Sequence, residues 1–213
     1  MTEDRILFET EVGSYMWNMQ TPQSDRDIIQ VYLQPTKDIL SGKNPNRNKP
    51  VTKFTTSGMD WEYQHMEIGH LINLLIKGNV NALWAVTSPI VLHASKELDE
   101  LRKITLENVS KESFASINGM AKSNFLDNKK RPTMPSNKAY RQCLRVLTFG
   151  INLFELGEVI YQPILKEVTE NDIELAFNHL NEAITNTKLI TSPNEQVFRE
   201  YLYTLRMSEF GRG

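Results

Sequence analysis

Residues 13–27 read "GSYMWNMQTPQSDRD". A Gly-Ser pair opens the stretch, and Asp25 and Asp27 close it with Arg26 between them. Before it, "RILFETEVGS" is rich in β-formers and predicts a strand that runs into a turn at Gly13. After it, the β-branched run "RDIIQVYL" predicts a second strand, ended by Pro35. The segment between, "MQTPQSD", carries Pro22 and small polar residues and reads as a loop. Strand side chains alternate, so Asp25 and Asp27 share one face and Arg26 takes the other. Two carboxylates that close repel each other unless a cation lies between them. A chain has no need of such a pair in order to fold.

Outward from this stretch the pattern stays extended and then changes. "TKDILSG" predicts a short helical turn, and "KNPNRNKP" at 43–50 a mobile basic loop. "VTKFTTSGMDWEYQHM" reads as extended structure with a break at Ser57-Gly58. From Glu67 the apolar residues fall at 68, 71, 72, 75 and 76, the spacing of a helix with one buried face. Gly78-Asn79 is placed to stop that helix, and "VNALWAVTSP" predicts a second, short one ended by Pro89. Further helices are expected over about 95–108, 111–127, 136–157, 172–187 and 195–208, with a basic, proline-containing loop "DNKKRPTMPSN" among them. The layout is α+β: a small mixed-sheet core over residues 1–95, then a C-terminal helical domain over 96–213. No internal repeat or low-complexity segment is present.

Composition narrows the function classes. The 213 residues are 40% hydrophobic and 23% charged, with a net charge of −2, an ordinary globular balance. A protein held chiefly by nucleic-acid phosphates would be more basic, although local basic stretches remain available to a polynucleotide. The single cysteine, Cys143, excludes a disulfide framework and a multi-cysteine zinc site, and its apolar setting reads as core. The acidic start "MTEDRILFE" is unlike a signal peptide, and the apolar runs are too short to span a bilayer. The reading is a soluble cytoplasmic protein.

The residues of the opening stretch suit one kind of chemistry. Mg²⁺ prefers carboxylate oxygens, waters and phosphates, so an Asp-x-Asp at a strand start suits a divalent-metal clamp for a nucleotide. Gly13 lacks a Cβ and lets a ligand approach the backbone; Ser14 adds a hydroxyl, and N–H groups at a turn hold phosphate oxygens. Either element alone is most often a solvated turn; the ordered combination is far more specific.

That combination resembles the signature of the DNA-polymerase-beta-type nucleotidyltransferase superfamily. "GSYMWNMQTPQSDRDIIQVYLQP" is similar to a subgroup of predicted nucleotidyltransferases that includes RNA-repair-associated and phage members. "LINLLIKGNVNALWAVTSP" and "KAYRQCLRVLTFGINLFELGEV" resemble two further segments of that subgroup, and the likeness spans most of residues 5–165. The resemblance implies that Gly13-Ser14 begins a helix and binds nucleotide, and that Asp25 and Asp27 bind Mg²⁺ or Mn²⁺. It also implies a third catalytic carboxylate on a later strand. Asp60 and Glu62, two residues apart and so on one strand face, are the candidates; Glu62 is preferred as catalytic and metal ligand, although the family mostly carries Asp there.

Lys138, Arg141 and Arg145 recur at helical spacing on one face. The resemblance assigns Lys138 and Arg145 to nucleotide phosphates, with Lys122 a weaker candidate. Trp17 is the tryptophan placed to stack on a base, Trp84 reads as core, and His65 lies near the third carboxylate. The expected activity is metal-dependent transfer of a nucleoside monophosphate from a nucleoside triphosphate to a hydroxyl, with release of pyrophosphate. The basic loops at 43–53 and 129–131 favour an RNA end as acceptor. The alternatives are transfer onto a protein side chain and a non-catalytic nucleotide-binding module.

Overall fold

The computed structural model describes residues 4–43, 49–130 and 136–211. Residues 44–48 and 131–135, inside the two expected basic loops, lie outside the described residues, as do 212–213 of the tail. The described residues contain five strands, β1 (Arg5–Glu11), β2 (Arg26–Leu33), β3 (Thr52–Thr56), β4 (Met59–Glu67) and β5 (Val91–His93). They also contain nine helices: α1 (Gly13–Met16), α2 (Thr36–Leu40), α3 (Ile68–Ile76), α4 (Val80–Thr87), α5 (Lys96–Glu107), α6 (Ser113–Lys130), α7 (Ser136–Leu156), α8 (Glu170–Asn186) and α9 (Glu195–Phe210). The α+β class expected from the sequence is what the chain adopts.

The strands form one mixed sheet in the order β3-β4-β2-β1-β5. β2 and β4 run parallel, with Arg26 opposite Trp61 and Asp27 opposite Glu62; every other pairing is antiparallel. Alternation then sorts the side chains. Phe8, Ile29, Val31 and Leu33 join a buried cluster with α3, α4, α5 and α9. Arg26, Gln30, Trp61, Tyr63 and His65 take the opposite face. Along that face Glu9, Gln30, His65 and Thr52 form a hydrogen-bonded row, at 2.6 Å, 2.8 Å and 2.9 Å in turn. His65 is therefore a structural histidine on the side away from Glu62.

α3 and α4 meet where the sequence places a stop. Gly78 has φ +64°, and its N–H donates to the Leu75 carbonyl at 2.9 Å. Asn79 caps α4, its side chain accepting from the Ala82 N–H at 3.0 Å. α4 is apolar on two faces because it is buried on two sides, with Asn81 left exposed. Ala82, Ala85 and Val86 face the sheet cluster, while Val80, Leu83 and Trp84 join a second cluster built on α6, α7 and α8. Helices from both sides of residue 95 thus contribute to each cluster.

Two details differ from expectation. β5 falls in a segment to which the sequence reading gives no element; it is three residues long, too short to show a period, and pairs with β1 through Glu9–His93 and Thr10–Val91. Trp17, expected to stack on a base, is 1% exposed. Its ring packs edge-on against Trp84 at 5.4 Å and Tyr161 at 5.0 Å, so it belongs to the core.

Candidate active site

The sheet delivers three carboxylates to one place. Asp25 precedes β2, Asp27 lies within it, and parallel pairing sets Glu62 of β4 beside Asp27. One carboxylate oxygen from each of the three lies within 4.8 Å of the others. Asp60 departs from this group. It sits one side-chain repeat earlier on β4, about 7 Å along the strand. There its Oδ1 accepts from the Thr55 hydroxyl across the hairpin at 2.5 Å. Of the two candidates, Glu62 meets the aspartates.

Gly13 is required for a reason other than ligand access. Its φ is +65°, and a Cβ built there would fall 2.0 Å from Oδ2 of Asp27. The backbone turns into α1 so tightly that the Asp27 carboxylate occupies the side-chain position. Val12 N–H donates to the Asp27 carbonyl at 2.8 Å, tying the turn to β2. The strand expected to run through Val12 to the turn ends at Glu11, and the Gly-Ser pair starts a helix of four residues.

The electrostatics are those of closely spaced, partly buried carboxylates. Burial pushes the Asp27 carboxyl up from 3.8 to about 6, and the charges of Asp25 and Glu62 push the same way. The ammonium of Lys53, opposite Glu62 in the antiparallel β3–β4 register, forms an ion pair with Glu62. That hydrogen bond raises the Lys53 pKa. Hard oxygen donors in this number, repelling one another and already drawing a cation, fit a divalent ion such as Mg²⁺ or Mn²⁺.

Beside the carboxylates opens a cavity of about 680 Å³. Gly13, Ser14, Asp25 and Asp27 line it from the sheet side, and Lys138, Arg141, Gln142 and Arg145 from α7. The helical spacing read from the sequence thus brings Lys138 and Arg145 to the same space as the Gly-Ser pair. The Arg145 guanidinium lies over the Trp17 ring, 4.9 Å from its centroid. Its Nε is buried and has no hydrogen-bond partner among the described residues. Burial lowers the Arg145 pKa to about 10, with Asp27 acting the other way, so the group stays charged at neutral pH. Lys122, exposed on α6, does not line this cavity.

A family model for RlaP, the RNA repair pathway DNA polymerase beta family, matches residues 2–188. The chain belongs to that family. Other likenesses are partial. An uncharacterized 38.9 kDa protein of the nrdC-mobD intergenic region of Enterobacteria phage T4 is 25% identical over 112 residues. That alignment spans 50% of this chain and 33% of the phage protein. A solved nucleotidyltransferase-like protein from Exiguobacterium sibiricum aligns over 96% of this chain and 74% of its own, at 15% identity and a TM-score of 0.34.

Three residues of this RlaP-family chain escaped the sequence reading. The sequence marks Lys53 only as the end of the basic loop 43–53; it lies in β3, and its partner Glu62 is fixed only by strand register. Glu11 and Arg26 form an ion pair on the far face of the sheet, and the Glu11 side chain is fully buried. The available signal was a charged residue at the middle position of Asp-x-Asp, at the start of a largely apolar strand. Cys143 is buried, its thiol pushed up to about 12 by burial, in keeping with a core residue.

Proposed function

We propose that the chain transfers a nucleoside monophosphate from a nucleoside triphosphate to a hydroxyl at an RNA end, with release of pyrophosphate. The observation that carries this is the meeting of Asp25, Asp27 and Glu62 beside a cavity that the two aspartates line together with Gly13, Ser14, Lys138 and Arg145. The family supports the transfer, and its description as an RNA repair pathway family favours an RNA acceptor.

Asp25, Asp27 and Glu62 would hold Mg²⁺ or Mn²⁺. A bound divalent ion supplies charge neutralisation on the triphosphate and acidifies the attacking hydroxyl. The chain's own groups do the rest. Ser14 and the backbone N–H groups of the turn donate to phosphate oxygens. Arg145 offers an unpaired Nε–H and a buried charge in the cavity wall, and Lys138 a second, exposed charge. The acceptor oxygen forms a bond to the α-phosphorus, and the bond from that phosphorus to the β-bridging oxygen breaks. Its electron pair leaves with pyrophosphate, and the hydroxyl proton passes to a Glu62 carboxylate oxygen.

The test incubates the chain with Mg²⁺ or Mn²⁺, each labelled nucleoside triphosphate and short RNAs, and measures pyrophosphate release and label transfer. Asp25→Ala with Asp27→Ala is expected to lower the rate by a factor on the order of 10³ or more. Equal binding of metal–nucleotide by the wild type and this double variant would defeat the reading. Label on protein instead of RNA would select the side-chain acceptor. Nucleotide that raises the melting temperature without any pyrophosphate release would select the non-catalytic module.

A further inference from the structure

Arg26 stands between the two aspartates yet points away from them, to the far face of the sheet. Its guanidinium touches the segments next to Gly13-Ser14 and to Glu62. Nε donates to Oε1 of Glu11 at 2.6 Å, and Nη2 donates to Oε2 of the same carboxylate. Glu11 ends β1, two residues before Gly13. The guanidinium carbon lies 4.8 Å from the centroid of Tyr15, the neighbour of Ser14, and 4.5 Å from that of Trp61, the neighbour of Glu62. One planar cation therefore joins the end of β1, the start of α1, the start of β2 and the middle of β4.

We propose that Arg26 is the positioning residue of this site, a clamp behind the sheet that fixes the separation of Asp25, Asp27 and Glu62. The proposal rests on the reading of these three as metal ligands. The need for a clamp follows from their placement. Arg26–Trp61 is the first rung of the β2–β4 ladder, so Asp25 lies beyond the last backbone tie between these strands. Three carboxylates with oxygens within 4.8 Å push apart, and the exposed Lys53 ammonium paired with Glu62 offsets only part of that repulsion. What resists on the opposite face is a bidentate pair with a fully buried carboxylate and contact with two rings. The rings are held in turn. The Tyr15 hydroxyl donates to the Met59 sulfur at 3.8 Å, and Trp61 stacks on Phe54 with the planes 3° apart. Glu11 is anchored through its backbone: its carbonyl accepts from the Ser88 hydroxyl at 2.5 Å, and its N–H donates to Ile90 at 2.9 Å. A lysine would keep the charge but lose both the two-point fork and the flat stacking surface.

The test counts bound Mn²⁺ by electron paramagnetic resonance on the full chain without nucleotide, alongside thermal melting. The variants are Arg26→Lys, Trp61→Leu, Trp61→Phe and the neutral pair Glu11→Gln with Arg26→Gln, which leaves no buried charge unpaired. Arg5→Gln, which breaks the distant Arg5–Glu97 pair, serves as the stability control. Arg26→Lys, Trp61→Leu and the neutral pair are expected to raise the Mn²⁺ Kd about 10- to 100-fold, the usual effect of losing a group that orients metal ligands. Trp61→Phe should stay close to the wild type, since a ring remains, and Arg5→Gln should leave Mn²⁺ binding unchanged. Arg26→Lys and the neutral pair both binding Mn²⁺ within about twofold of the wild type would overturn the clamp and leave the metal site standing. A Kd that merely tracks melting temperature across all variants, the control included, would overturn it too. A wild type that binds no Mn²⁺ would overturn the metal site and the clamp together.

Discussion

Asp27 is the residue on which the site's constraints converge. Its carboxylate fills the place of a side chain at Gly13, neighbours Glu62 through strand pairing, and bounds the cavity. The aspartate pair and the glycine were legible in the sequence, but the reason for the glycine was not. A motif shows which residues recur, whereas the collision at 2.0 Å needs the turn geometry. The titration of Asp27 gives a test. Its carboxyl is raised from 3.8 to about 6 in the folded chain, so the folded state holds the proton more tightly than the unfolded one. That stabilises the metal-free fold below about pH 4, and the contribution is lost as pH rises through about 6. Asp27→Asn carries no such charge. In a chelator-containing buffer its melting temperature should therefore rise relative to the wild type between about pH 4 and pH 7. Added Mg²⁺ should narrow the gap by stabilising only the wild type. A difference that stays flat across this range would show that Asp27 is not strained by its neighbours.

At the scale of elements, what could be read was what repeats over several residues. α3 announced itself through five apolar positions at helical spacing, and β2 through a β-branched run. β5 and α1 are three and four residues long, below any period; the start of α1 at Gly13-Ser14 was implied only by the family resemblance, and β5 by nothing in the sequence. Register was equally hidden: Glu62 and Asp60 share a strand face, and only the pairing of Asp27 with Glu62 separates them. The junction of α3 and α4 is the element-level feature most sensitive to one atom. Gly78 holds φ +64°, and a Cβ there would lie 2.5 Å from the backbone carbon of Glu112 and from the Ser113 nitrogen. Backbone cannot yield as a side-chain tip can. Gly78→Ala should cost about 2–4 kcal/mol, combining left-handed strain with overpacking. Urea unfolding would measure it, and a loss below about 0.5 kcal/mol, the ordinary surface range, would mean that the α3–α4 turn is not held against the start of α6.

For the molecule as a whole, α9 closes the sheet layer, although it lies beyond the residues 2–188 that the family model matches. Nothing in its sequence tells where it packs, because its partners are over a hundred residues away. Phe198, Tyr201 and Leu205 enter the sheet-side cluster, and the Tyr201 hydroxyl donates to the Glu97 carbonyl at 2.8 Å. The decisive tie is ionic. Arg206 donates to Glu67 at 2.5 Å and to the Gln34 carbonyl at 2.8 Å, joining α9 to the ends of β4 and β2. Glu67 is 1% exposed and also caps α3 through the Gly69 N–H at 2.7 Å. Removing its cation leaves a buried charge at the end of the strand that carries Glu62. Arg206→Met is therefore expected to destabilise the chain by about 3–5 kcal/mol. At this chain length that corresponds to a fall in Tm of roughly 10 °C. Adding Glu67→Gln removes the stranded charge and keeps an oxygen for the α3 cap, so the double variant should recover most of the loss. Calorimetry on the wild type, both single variants and the double would give the coupling directly. A single-variant cost under about 1 kcal/mol, the range of an exposed pair, would mean that α9 covers the sheet without locking it.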